Sequence, residues 1–104
     1  MSFIIEYSSI EDDAEDGGMG EKLVKLTEPR VYGYTKEERD AVKAGKAGKG
    51  THFKLYDDDG NCYYTGKYFG DADSEEAFEP LEWGYGEGCT HIKYRQKDGT
   101  YEVL

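Results

Sequence analysis

Two cysteines and two histidines are the residues of this chain best equipped for chemistry. Cys62, Cys89, His52 and His91 supply the atoms and the number of ligands that a tetrahedral zinc site needs. Cys89 and His91 stand two apart, which puts them on one face of a strand and sets a thiol beside an imidazole base. Against metal, C-x-H lacks the C-x₂₋₄-C spacing of most structural zinc sites, and a free cysteine inside a fold behaves as a small apolar residue. Against catalysis, no third group orients the base and nothing marks an enclosing pocket. The expectation is no metal, no cofactor and no enzymatic activity. A Cys/His metal-binding or thiol-dependent small enzyme is the alternative.

Two further stretches imitate ligand loops. In "LYDDDGNCYYTG", residues 55–66, a calcium loop with Gly60 in its obligatory glycine position would begin at Leu55 and end at Gly66, and neither can ligate. The bland alternative is a hairpin bend in which Gly60 takes positive φ and Asp57 or Asp58 bonds the local backbone. "GKAGKGT", residues 45–51, resembles a phosphate loop without matching its pattern. It also follows a helix and precedes a strand, the reverse of the required order, so it reads as a flexible basic linker.

The elements that would position these residues follow from periodicity. "SFIIEY" reads as a strand, residues 8–20 as a flexible acidic loop, and "EKLVKLTEP" as a second strand stopped by Pro29. "YTKEERDAVKAGK" is the clearest helix, spanning 35–44, with Thr35 as N-cap, Glu38 completing a capping box and Gly45 ending it. From Thr51 the period changes to alternation. Phe53 and Leu55 face opposite to His52 and Lys54, and "CYYTGKYF" has tyrosines at both parities. "CTHIKYR" puts Ile92 and Tyr94 inward, with Cys89, His91, Lys93 and Arg95 outward. "KDG" is a turn into "TYEVL", where Tyr101 and Val103 are expected inward. Between them, one helical turn capped by Asp73 or Ser74 should break near Pro80 and pass into a glycine-aromatic loop. The expected fold is α+β: one domain over 1–104, an antiparallel sheet of four to six strands packed against one main helix at 35–44.

The C-terminal half carries a D-D-D-G turn, an E-P-L segment, a G-C-T-x-I-x-Y-R strand and an E-V-L terminus. In these it resembles a pattern of small uncharacterised bacterial and phage proteins. The resemblance implies a shared fold and attaches no activity, so no functional residue is carried over.

Charge is the strongest functional hint. The net charge is −10, and the acids are bunched. Residues 1–28 hold eight acids against two bases, residues 29–50 hold six bases against three acids, and residues 71–88 hold seven acids and no base. The longest apolar run, Phe3 to Ile5, is far short of the ~20 residues that cross a bilayer. With two cysteines and no basic, apolar leader, the expected setting is the cytoplasm, with no membrane partner. Trp83 and Tyr85 lie among carboxylates that would repel phosphate. Only the basic stretch from Arg30 to Lys49 could attempt to bind it, and the negative field of the whole molecule opposes the approach, so no direct nucleic acid is expected. Aromatics supply contact area and acids steer a cationic partner. Asp73, Glu75, Glu76, Glu79, Glu82, Trp83, Tyr85 and Glu87 are therefore the expected partner-binding residues. The expected function is a non-enzymatic module that docks a basic protein surface. Its most specific form is an inhibitor that mimics nucleic-acid charge against a nuclease or other DNA- or RNA-binding protein.

Overall fold

Six strand-forming segments pair into one antiparallel sheet, ordered β2-β1-β4-β3-β5-β6 in the computed structural model, which describes residues 2–9, 23–72 and 74–104. The strands are β1 (Ser2–Ser8), β2 (Val24–Gly33), β3 (Thr51–Tyr56), β4 (Cys62–Phe69), β5 (His91–Arg95) and β6 (Tyr101–Val103). Helix α1 (Lys36–Lys43) joins β2 to β3, and a 3₁₀ turn (Glu75–Phe78) runs into α2 (Glu79–Tyr85) before β5. The α+β expectation holds, with two short helices in place of one main one.

Period-two alternation decides which side of the sheet is core. Phe3, Ile5, Phe53, Leu55, Tyr64, Tyr68, Ile92 and Tyr94 are buried on one side, where Ala77, Leu81 and Cys89 pack over them. The Tyr94 hydroxyl donates to the Ala77 carbonyl at 2.8 Å, tying the 3₁₀ turn to β5. Gly66 lies in the middle of this layer because nothing larger fits: a Cβ there would stand 1.9 Å from the Ile4 carbonyl oxygen. Helix α1 lies against β1 and β2 instead, with Val42, Ile4 and Phe69 around a shared hollow on the opposite side. Thr35 caps it as expected, its side chain accepting from the Glu38 amide at 3.1 Å.

Several local expectations are corrected. Pro29 does not stop β2, which continues to Gly33. The strand is at the sheet edge, where a missing N–H is tolerated, and its pairing with β1 shifts register across residues 26–29. Pro80 does not break the 75–85 segment but sits in the first turn of α2, where a proline's absent donor costs nothing. Tyr101 and Val103 pair with Arg95 and Lys93, so they face away from the core. Cys89 precedes β5 and belongs to the return from α2, its amide bonding the Gly84 carbonyl; strand alternation does not reach it, and it is only 1% exposed. A bulge at Tyr63, between the Leu55–Tyr64 and Tyr56–Cys62 pairs, resolves the mixed parity of the β4 tyrosines.

The acidic loop expected at 8–20 lies outside the described residues except for Ser8, at the end of β1, and Ser9, whose hydroxyl and amide bond the carbonyls of Cys62 and Tyr63. No helix among the described residues is long and apolar enough to cross a membrane.

Candidate partner-binding site

The calcium-like stretch at Asp57–Gly60 settles into a turn. Asp57 Oδ1 accepts from the amides of Asp59 and Asn61 at 2.9 and 2.8 Å, and Gly60 takes φ of 83°. Burial works against the charge on Asp57, but bonds from Asn61, Tyr63 and the Asp59 amide outweigh it and hold its carboxyl below the usual range. A side chain engaged this way is structural. The two cysteines and two histidines also stay apart in role. Cys89 is sealed beneath α2, and burial pushes its thiol up to about 12, the reverse of what a nucleophile requires. His91 is exposed, its Nδ1 2.8 Å from the Thr90 hydroxyl, and His52 pairs with Lys67 across the sheet. Among the described residues no group of three or more His, Cys, Asp or Glu is arranged to hold a metal ion.

The expected partner-binding residues fall on the layer formed by the 3₁₀ turn and α2. Local sequence explains their orientation: Ala77 and Leu81 are four apart and turn into the core, which leaves Glu75, Glu76 and Glu82 exposed and Glu79 half-buried between them. Glu79 and Glu82 line a groove of about 430 Å³ with Phe3, Tyr32, Gly33, Tyr34 and Trp83. Trp83 forms its wall and is half core. Its ring stands 5.5 Å from that of Tyr32 and 4.9 Å from that of Tyr64. Tyr32 in turn stacks on Phe3 at 5.0 Å. The end of β2 therefore contributes half of the groove, Tyr32 and Tyr34, through residues that the sequence did not single out. Their i, i+2 spacing near "EPRVYGYT" was the available signal, but nothing local to it says that β2 ends beside α2.

Electrostatics group three of the acids. The Tyr34 hydroxyl donates a short hydrogen bond to Glu79 Oε2. That bond pushes the phenol up to about 12, helped by some desolvation and by the fields of Glu79, Glu76 and Glu82. Glu79 Oε1 is buried and has no hydrogen-bond partner among the described residues. Glu87 sits apart, past the end of α2, where its carboxylate is 3.5 Å from the Tyr64 hydroxyl. Glu75 is exposed on the 3₁₀ turn, Tyr85 is 60% exposed on the last turn of α2, and Asp73 lies outside the described residues. Among the described residues no lysine or arginine lines the groove. Chemically it offers carboxylate acceptors beside aromatic faces, an arrangement suited to a guanidinium or ammonium group.

Comparison with protein-family models, with curated proteins and with solved structures finds no match to this chain.

Proposed function

We propose that this protein is a non-enzymatic binding module that docks a cationic segment of a protein partner on the 75–87 layer, with an arginine or lysine side chain entering the groove between Tyr34 and Trp83. The observation that carries this reading is Glu79. One of its oxygens is bonded by Tyr34, while the other is buried without a donor among the described residues, on a side chain that lines the aromatic groove. A buried acceptor left unmade costs about 1–3 kcal/mol, and more when charged, so a bound donor would recover stability that the free protein forgoes. Trp83, Tyr32 and Tyr34 add ring faces for a cation, and Tyr85 adds exposed contact area at the rim. In its most specific form the partner is a nuclease or another nucleic-acid-binding protein, with Glu76, Glu79 and Glu82 standing where phosphates would.

The test is a calorimetric titration with arginine-rich and glutamate-rich peptides of equal length. The arginine peptide should bind, weaken steeply as salt rises, and lose at least about tenfold in affinity on Glu79→Gln. Binding that ignores both salt and Glu79→Gln would sink the reading.

A further inference from the structure

The side of the sheet that faces away from the core carries a second charged surface, of the opposite sign. Register places Lys54 opposite Lys93, Tyr56 opposite His91, and Tyr101 opposite Arg95, so these side chains share one side of β3, β5 and β6. His52 and Lys67, themselves a cross-strand pair, extend it onto β4. α1 lies against β1 and β2, and α2 packs on the core side, so the helices of the described residues leave this part of the sheet open. Strands β3, β4 and β5 contain no acid, and Glu102 of β6 pairs with Tyr94 and so belongs to the other side. Glu6 of β1 meets this face at its β4 margin, its carboxylate 3.8 Å from Lys67, so the unmixed cations are those of β3 and β5.

Such a surface is not what solubility alone would select. Like charges placed directly opposite on a sheet are destabilising, and a merely solvated face would mix signs. Lys54 and Lys93 instead face each other, and each ammonium lies over a tyrosine ring: Lys54 is 4.3 Å from the centre of Tyr101 and Lys93 is 4.7 Å from that of Tyr56. The positive field reaches neighbouring groups. His52 is shifted down by desolvation, with Lys67 and Arg95 adding to the effect and Glu6 opposing it. The Cys62 thiol is raised by burial but pulled back by Lys54 and Lys93. The carboxylates of the 75–87 layer lie across the sheet. Their side chains point to the opposite solvent, and salt weakens their field on this face over distances beyond the Debye length of about 8 Å.

We propose that this open face binds single-stranded nucleic acid, with Lys54, Lys93 and Arg95 on phosphates and Tyr56 and Tyr101 stacking against bases. An acidic peptide would call for the cations alone, whereas rings interleaved with cations match a chain that alternates phosphate and base. A duplex would need an element to enter a groove, and the face is flat strand. The expectation of no direct nucleic acid rested on the acid-rich aromatic segment and on the charge of the whole chain, and neither describes this side of the sheet. The inference does not depend on the function proposed for the acidic layer.

Fluorescence anisotropy of a labelled oligothymidylate of about 12 nucleotides, titrated with the whole protein across a range of salt, tests it. Three phosphate contacts predict a log–log salt slope of about −2. The Lys54→Gln/Lys93→Gln variant should bind at least about tenfold more weakly and flatten that slope by about 1.4. Tyr101→Ala should weaken the oligothymidylate while leaving an abasic oligomer of the same length unaffected. Circular dichroism of the variants confirms that they fold. Absence of binding at low salt, equal affinity of wild type and double variant, or preference for a duplex would overturn the proposal. So would competition by polyglutamate as strong as by the oligomer, which would assign the face to an acidic protein.

Discussion

The carboxylates of residues 75–87 ride on elements whose inner side is the core, whereas the cations of β3, β4 and β5 project from a sheet whose core lies behind them. On the first surface, recognition and folding share side chains: Trp83 walls the groove and also stacks on Tyr64, and Leu81 lies on the same helix as Glu79 and Glu82. On the second, Lys54 and Lys93 lie over tyrosine rings of neighbouring strands and take no part in the core. Two charged surfaces of one small domain can thus differ in how freely they can change. The acidic one is constrained by packing. The basic one carries cross-strand contacts but no part of the core.

Mutation and pH separate the two surfaces, and the largest effect should come from beneath the acidic layer. Leu81→Ala removes a buried anchor of α2 and should cost about 2–5 kcal/mol of unfolding free energy, measured by denaturant titration. Alkaline pH should come next. Burial holds the Tyr68 and Tyr94 phenols up and pushes the Cys89 thiol up to about 12, so the folded state keeps protons that the unfolded chain releases. The unfolded state then binds fewer protons, and stability must fall as pH rises above about 9, by up to about 1.4 kcal/mol per pH unit for each group. Thermal melts at a series of pH values check this, and a flat profile from neutral pH to pH 11 would contradict it.

Smaller effects probe the groove and then the open face. Glu79→Gln removes the main cause of the raised Tyr34 pKa, so ultraviolet titration should show that phenol ionising closer to 10, the ordinary tyrosine value. The smallest change is expected from Lys54→Gln/Lys93→Gln, within about 0.5 kcal/mol of wild type. A loss as large as that of Leu81→Ala would mean that the basic face is structural after all.

Much of the architecture was legible because it is written in local pattern. The Thr35 cap, the alternation of Phe53 with Leu55 and of Ile92 with Tyr94, and the bend at Asp57–Gly60 all depend on neighbours within a few residues. What stayed hidden depends on sheet order. β3 lies between β4 and β5, a neighbour relation that crosses the 75–85 segment. Only that order sets Lys54 against Lys93 and makes one surface of two short outward rows. Likewise Tyr32 and Tyr34 gain meaning only once the end of β2 is seen beside Trp83. The inward reading of Tyr101 and Val103 failed for the same reason: three residues at a sheet edge alternate, but the alternation does not say which side is sheltered.

The sealed thiol beneath α2 makes the protein its own reporter. An alkylating reagent meets half-buried Cys62 in the folded protein, but it meets Cys89 only when the span from Glu75 to Gly88 lifts from the sheet. The lag between the two modifications therefore clocks the opening of that span. A visitor clasped by the glutamates should lengthen the lag, whereas one lying over Lys54 and Lys93 should shield Cys62 instead and shorten it.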